Sequence, residues 1–115
     1  MHELSIAQQI ADIALQHIEE AGGQPATAIT LRIGALSCVH EDALRFSMAL
    51  VAKETLIEGA ELRIITVPVS VYCPSCDQVV ELPGIQRFRC PLCDTPTADV
   101  RSGQELEIDT IELHA

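Results

Sequence analysis

The segment CPSCDQVVELPGIQRFRCPLC holds Cys73 and Cys76, a spacer of thirteen residues, then Cys90 and Cys93. Each CxxC turn offers two sulfurs, and a hairpin between the turns can bring all four to the corners of a tetrahedron about one metal ion, with zinc the first choice. Two disulfides would need an oxidising compartment, and free thiols would leave the spacing without a cause. An iron site of the rubredoxin type also uses paired CxxC turns, but Asp77 and Asp94 stand where its turns usually carry glycine, and its aromatic packing is missing. Four thiolates leave no position open to water or substrate, so such a metal holds structure and performs no hydrolysis. A module of this size buries little core, and structural zinc contributes roughly 10 to 16 kcal/mol in comparable small folds.

A second kind of chemistry is written at the start of the chain, MHEL. Met1, His2 and Glu3 place an amino terminus, an imidazole and a carboxylate within three residues, separated by peptide nitrogens that can bind a metal once deprotonated. That set suits nickel or copper in square-planar or octahedral geometry, although a lone N-terminal histidine is weak evidence. Other candidates are fewer. Cys38 stands alone after the first strand and reads as a small buried apolar residue, with His40 nearby as a loop imidazole or a functional one. His17 and His114 read as solvated, and Met48 as core filler. The chain has no GxSxG, no phosphate-binding glycine loop and no HExxH, so nothing marks it as an enzyme.

The formal net charge is −10, and the seven basic residues are scattered singly among seventeen acids. Nucleic acid is therefore excluded as a partner, because a phosphate backbone is bound through clustered Lys and Arg. A metal cation or a basic protein surface is the better electrostatic match. No apolar run approaches the roughly 20 residues of a membrane span, and Glu3 sits where a signal peptide would be basic. A cytoplasmic location follows as the expectation.

These residues need a scaffold, and the pattern predicts an α+β one. Leu4, Ala7, Ala11, Ala14 and Ile18 recur at helical steps up to Gly22–Gly23. Ile29, Leu31 and Ile33 alternate as a strand with one face on a core. Glu41 and Asp42 open a second helix carrying Leu44, Ser47, Met48 and Val51, where negative charge complements the helix dipole. ELRIITVPV and LEIDTIEL read as two further strands, and the apolar phase of the last slips at Asp109–Thr110, which predicts a bulge or bend. The result is a small sheet of about three strands packed with two helices. Residues 69–103, holding four of the five cysteines and four of the six prolines, form an inserted zinc-ribbon-like hairpin module, with VVEL and IQRFR as strands joined at Pro83–Gly84. Residues 1–68 and 104–115 form the discontinuous domain around it.

MHE, an amphipathic helix, a strand running into RIGALSCV, a helix containing ALRF and a late pair of CxxC turns, in that order over essentially the whole chain, resemble the HypA/HybF family of hydrogenase nickel-incorporation proteins. The resemblance implies that Met1, His2 and Glu3, with neighbouring backbone nitrogens, bind Ni(II) as transient cargo for a [NiFe]-hydrogenase large-subunit precursor. It implies that Cys73, Cys76, Cys90 and Cys93 hold zinc, and that a HypB-type nickel GTPase is a partner. Relatives often carry an acid at the position of His40, near the nickel site in some of them, and an imidazole there is at least as good a partner for nickel. Monomeric and domain-swapped homodimeric forms are both compatible with the sequence. The rival reading is an acidic zinc-ribbon adaptor that carries no second metal.

Overall fold

The computed structural model describes residues 2–115. Helix α1 spans Glu3–Glu20, with Ala7, Ile10, Ala11, Ala14 and Ile18 buried along one stripe. No glycine or proline interrupts those eighteen residues. The helix stops where Gly22 and Gly23 take positive φ, which lets the Gly23 amide donate to the Ile18 carbonyl at 2.8 Å. Helix α2, Glu41–Ala52, buries Leu44, Ser47, Met48 and Ala52 and packs against α1. Met48 is core filler, as its place on the apolar stripe predicts. Burying Ile18, Ile29, Leu31 and Leu44 contributes roughly 1.5–3 kcal/mol each.

Strands β1 (Ala26–Gly34), β2 (Glu61–Val67) and β6 (Leu106–Leu113) form a sheet in the order β2-β1-β6. Alternation predicted a strand with one buried face, but Ala28, Ile29, Thr30 and Leu31 of β1 are all buried. Position explains the difference. Ile29 and Leu62 line a groove with Met48 of α2, so by the pleat Ala28 and Thr30 lie on the opposite face with Arg63. Arg63 of β2 pairs with Glu112 of β6, and that ion pair has to cross the small side chains of the central strand. In β6 the half-buried residues are Ile108, Ile111 and Leu113, so the facing phase does slip after Asp109–Thr110.

The chain separates into two compact units, residues 1–31, 39–65 and 107–115 in one and residues 32–38 and 66–106 in the other. The second contains the antiparallel sheet β4-β3-β5, from Gln78–Glu81, Ser70–Cys73 and Val100–Ser102. Here the expected hairpin is corrected. VVEL lies largely in β4, which pairs with β3 (Val71 opposite Val80, Cys73 opposite Gln78), and IQRFR is not a strand. The turn that closes the hairpin is the first CxxC itself, made tight by Asp77 at φ 51. Pro83 then ends β4, since it has no amide to continue the ladder. The second CxxC repeats the arrangement, with Asp94 at φ 62, Cys90 N–H donating to Thr95 O and Thr97 N–H to Phe88 O.

Within this unit two glycines meet. The Leu36 amide donates to the Gly103 carbonyl at 2.7 Å, and a Cβ on Gly34 would overlap that same carbonyl. Backbone on both sides cannot yield as a side chain would. Gly34→Ala should therefore lower the melting temperature by about 8 °C, corresponding to roughly 2 kcal/mol. Gly84→Ala, with nothing within 4 Å of the added methyl, should leave it unchanged in the same thermal melt.

Candidate metal centres

The two CxxC turns converge. The Sγ atoms of Cys73 and Cys93 lie 3.5 Å apart, those of Cys76 and Cys90 3.9 Å apart, and all four fall within 4.8 Å of one another. A tetrahedron with metal–sulfur arms near 2.3 Å has edges of about 3.8 Å. The residues present therefore fit one metal ion. Cys73 and Cys90 are buried with Val69, Val71, Val80 and Leu82, while Cys93 is exposed. The Cys76 amide donates toward the Cys73 sulfur at 3.4 Å, and the Thr95 hydroxyl lies 3.1 Å from that of Cys93 and donates to Ser75 Oγ at 3.1 Å.

Four thiols so close cannot all ionise unaided. Hydrogen bonding with Cys93, followed by burial, pushes Cys76 up to about 12, whereas the Thr95 hydroxyl and amide hold Cys93 down to about 6. A cation at the centre is what lets all four become thiolates. The sequence argument against iron from Asp77 and Asp94 loses its force, because both aspartates adopt the left-handed conformation that glycine would supply.

The second set of candidates sits at two helix starts. His2 is the N-cap of α1 and His40 the N-cap of α2, and neither uses its side chain as a cap. Their carbonyls accept from Ile6 N–H at 3.1 Å and Leu44 N–H at 2.9 Å. Between them stands Glu3, whose Oε2 accepts from the backbone N–H of His40 at 3.2 Å. That bond, first among its causes, lowers the Glu3 pKa below the usual glutamate value of 4.5. Both imidazoles are exposed. Among the described residues the four cysteines form the one cluster whose ligand atoms already converge, so the donors of His2, Glu3 and His40 are neighbours without a preformed cage. Met1 lies outside the described residues.

The family described as "hydrogenase/urease nickel incorporation, metallochaperone, HypA" matches residues 1–113. A hydrogenase maturation factor HypA of Chloroflexus aggregans is 49% identical over 112 residues, covering 97% of this chain and 98% of its own. A hydrogenase maturation factor HybF of Escherichia coli is 39% identical over 113 residues, covering 98% and 99%. The chain belongs to the HypA family. The solution structure of the Ni metallochaperone HypA from Helicobacter pylori matches at a TM-score of 0.72 and 20% identity, covering 100% of this chain and 99% of that one, which supports the shared fold.

HypA membership makes this a nickel-incorporation metallochaperone of hydrogenase maturation and not an enzyme. No helix among the described residues is long and apolar enough to cross a membrane. One expectation is corrected within this HypA chain: Cys38 is exposed, not buried. It follows the short 3-10 turn Ala35–Ser37 at φ 59, and that left-handed residue turns its sulfur toward the Leu36 carbonyl at the surface, 3.6 Å away. His17 and His114 are exposed, as read. Sequence reasoning missed Thr95 and the Glu3–His40 contact. CDT after the second turn was a usable local signal for Thr95, but a bond between residues 37 apart leaves none.

Two outcomes follow. The Glu3 contact favours the ionised carboxylate, so it is fully present above the ordinary glutamate pKa and is lost as pH falls through the lowered one. An NMR titration should show the His40 amide shifting with a midpoint below 4.5, and Glu3→Gln should abolish that transition. For the cysteine site, Cys90→Ala should release the metal and disorder residues 69–103, seen as collapsed amide dispersion there, while α1 and α2 keep their resonances.

Proposed function

We propose that this chain carries Ni(II) at the start of α1 and delivers it to a [NiFe]-hydrogenase large-subunit precursor, in concert with a HypB-type GTPase in the cytoplasm. His2 is the principal side-chain ligand, assisted by Met1, by backbone nitrogens at the start of the chain and by Glu3, with His40 as a further donor. The observation that carries this reading is the Glu3 carboxylate on the His40 amide, which ties together the two helix starts that bear the imidazoles. Nitrogen and oxygen donors without thiolate suit Ni(II), and an open, exposed site allows a recipient to take the ion away. The cysteine centre holds structural zinc, in keeping with its closed tetrahedral donor set. In domain terms, residues 1–68 and 104–115 form the nickel-binding part and residues 69–103 the zinc-binding insert.

The test is competitive nickel titration with the cysteine site already loaded. His2→Gln should weaken nickel binding by about a hundredfold or more and His40→Ala by about tenfold, in line with the loss of a metal ligand and of a weaker or indirect one. Hydrogenase maturation at limiting nickel should fail with His2→Gln and return with excess nickel salt. Nickel affinity in His2→Gln equal to that of the unaltered chain would exclude the N-terminal site.

A further inference from the structure

The outer side of α2 carries apolar surface that the metal chemistry does not use. The helix buries Leu44, Ser47, Met48 and Ala52, which leaves Asp42, Phe46, Ala49 and Leu50 turned outward. Phe46 is 68% exposed and Leu50 44%, and at a separation of four they are neighbours on the helix surface. A helix packed on one side ordinarily presents polar residues on the other. Here one of only three aromatic residues in the chain stands in water. Beside this stripe, and sharing Ala49 with it, runs a groove of about 290 Å³ whose apolar lining includes Met48, Ala52, Ile57 and Leu62. Arg45 lies along it, fixed by bonds to Glu41 and to the Leu62 carbonyl.

Charge decides what fits there. The unit containing α2 holds twelve acidic residues against three Lys and Arg, a net charge of −9 out of the chain's −10. Two of its three cations are committed internally, Arg45 to Glu41 and Arg63 to Glu61 and Glu112. Asp42 precedes Phe46 by one turn, and Glu54 follows the helix end one turn beyond Leu50. A second copy of the chain would bring its own −10 to this face and be repelled. We propose that the Phe46–Leu50 face of α2 docks a basic protein partner of the maturation machinery, one that offers an apolar pocket for Phe46 rimmed by Lys and Arg. A central aromatic anchor supplies affinity and the acidic surround supplies steering and partner choice.

This inference rests on the maturation role but not on the nickel ligands, and the experiment keeps the two apart. The metal-loaded full chain is titrated by calorimetry with the purified cognate HypB-type GTPase and, separately, with the hydrogenase large-subunit precursor, at low and high salt. Binding to at least one of them should weaken at high salt. Phe46→Glu should reduce that binding at least tenfold, Phe46→Ala and Leu50→Ser by smaller factors, and Asp42→Lys should flatten the salt dependence. The circular dichroism and nickel affinity of Phe46→Glu should match the unaltered chain, while His2→Gln should lose nickel and keep docking. Binding of neither protein, or unchanged binding by Phe46→Glu, overturns the proposal. So does a dimer in sedimentation that Phe46→Glu dissolves, since the face would then belong to a second copy.

Discussion

Mutual repulsion of four sulfurs held within 4.8 Å is the constraint on which the cysteine-bearing unit depends. Its buried core amounts to four aliphatic side chains and two of the cysteines themselves, so the candidate metal ligands and the hydrophobic core are partly the same residues. Area burial alone gives so small a core little margin against the entropy of ordering the whole of residues 32–38 and 66–106. Electrostatics forbids the four thiolates without a cation, and with one they become the strongest tie in the unit. Both hairpins turn on aspartates in the left-handed region because the sulfurs must face one point.

The other unit is organised differently. Its helices pack by aliphatic burial, with alanines at positions 7, 11 and 14 of α1 keeping the buried stripe slim. Its candidate nickel donors lie at exposed helix starts, which among the described residues a charge-assisted hydrogen bond joins. A resident structural metal and a transient cargo call for opposite designs. The first wants buried, crowded, preformed ligands. The second wants accessible donors that can be gathered and released, and the two histidine N-caps have that character.

Much of this was legible in the sequence. Periodicity located α1, α2, β1, β2 and β6 to within a few residues, because each carries an apolar face that burial decides, even where β1 is buried on both faces, and the spacing of the cysteines identified their cluster. Failures came where tertiary context outweighed local pattern. IQRFR alternates as a strand should, yet β4 is already paired with β3, and Arg89 reaches no more than an isolated bridge with Pro96. Cys38 has the composition of a core residue but follows a turn that puts it outside. Thr30 is polar and yet buried in the central strand of the sheet, a placement that local sequence does not record.

The ion pair of Arg63 with Glu112 bears on how the sheet meets other chains. Both β2 and β6 are edge strands, and an edge is an open template for a stray strand, the first step toward aggregation. Here the edges carry Glu61 and Arg63 on one side and Glu107, Asp109 and Glu112 on the other. An intruding strand would have to set its own side chains against those charges. With Arg63 and Glu112 locked across the central strand, the guard is held in place, and the sheet can stop at three strands without covering either margin.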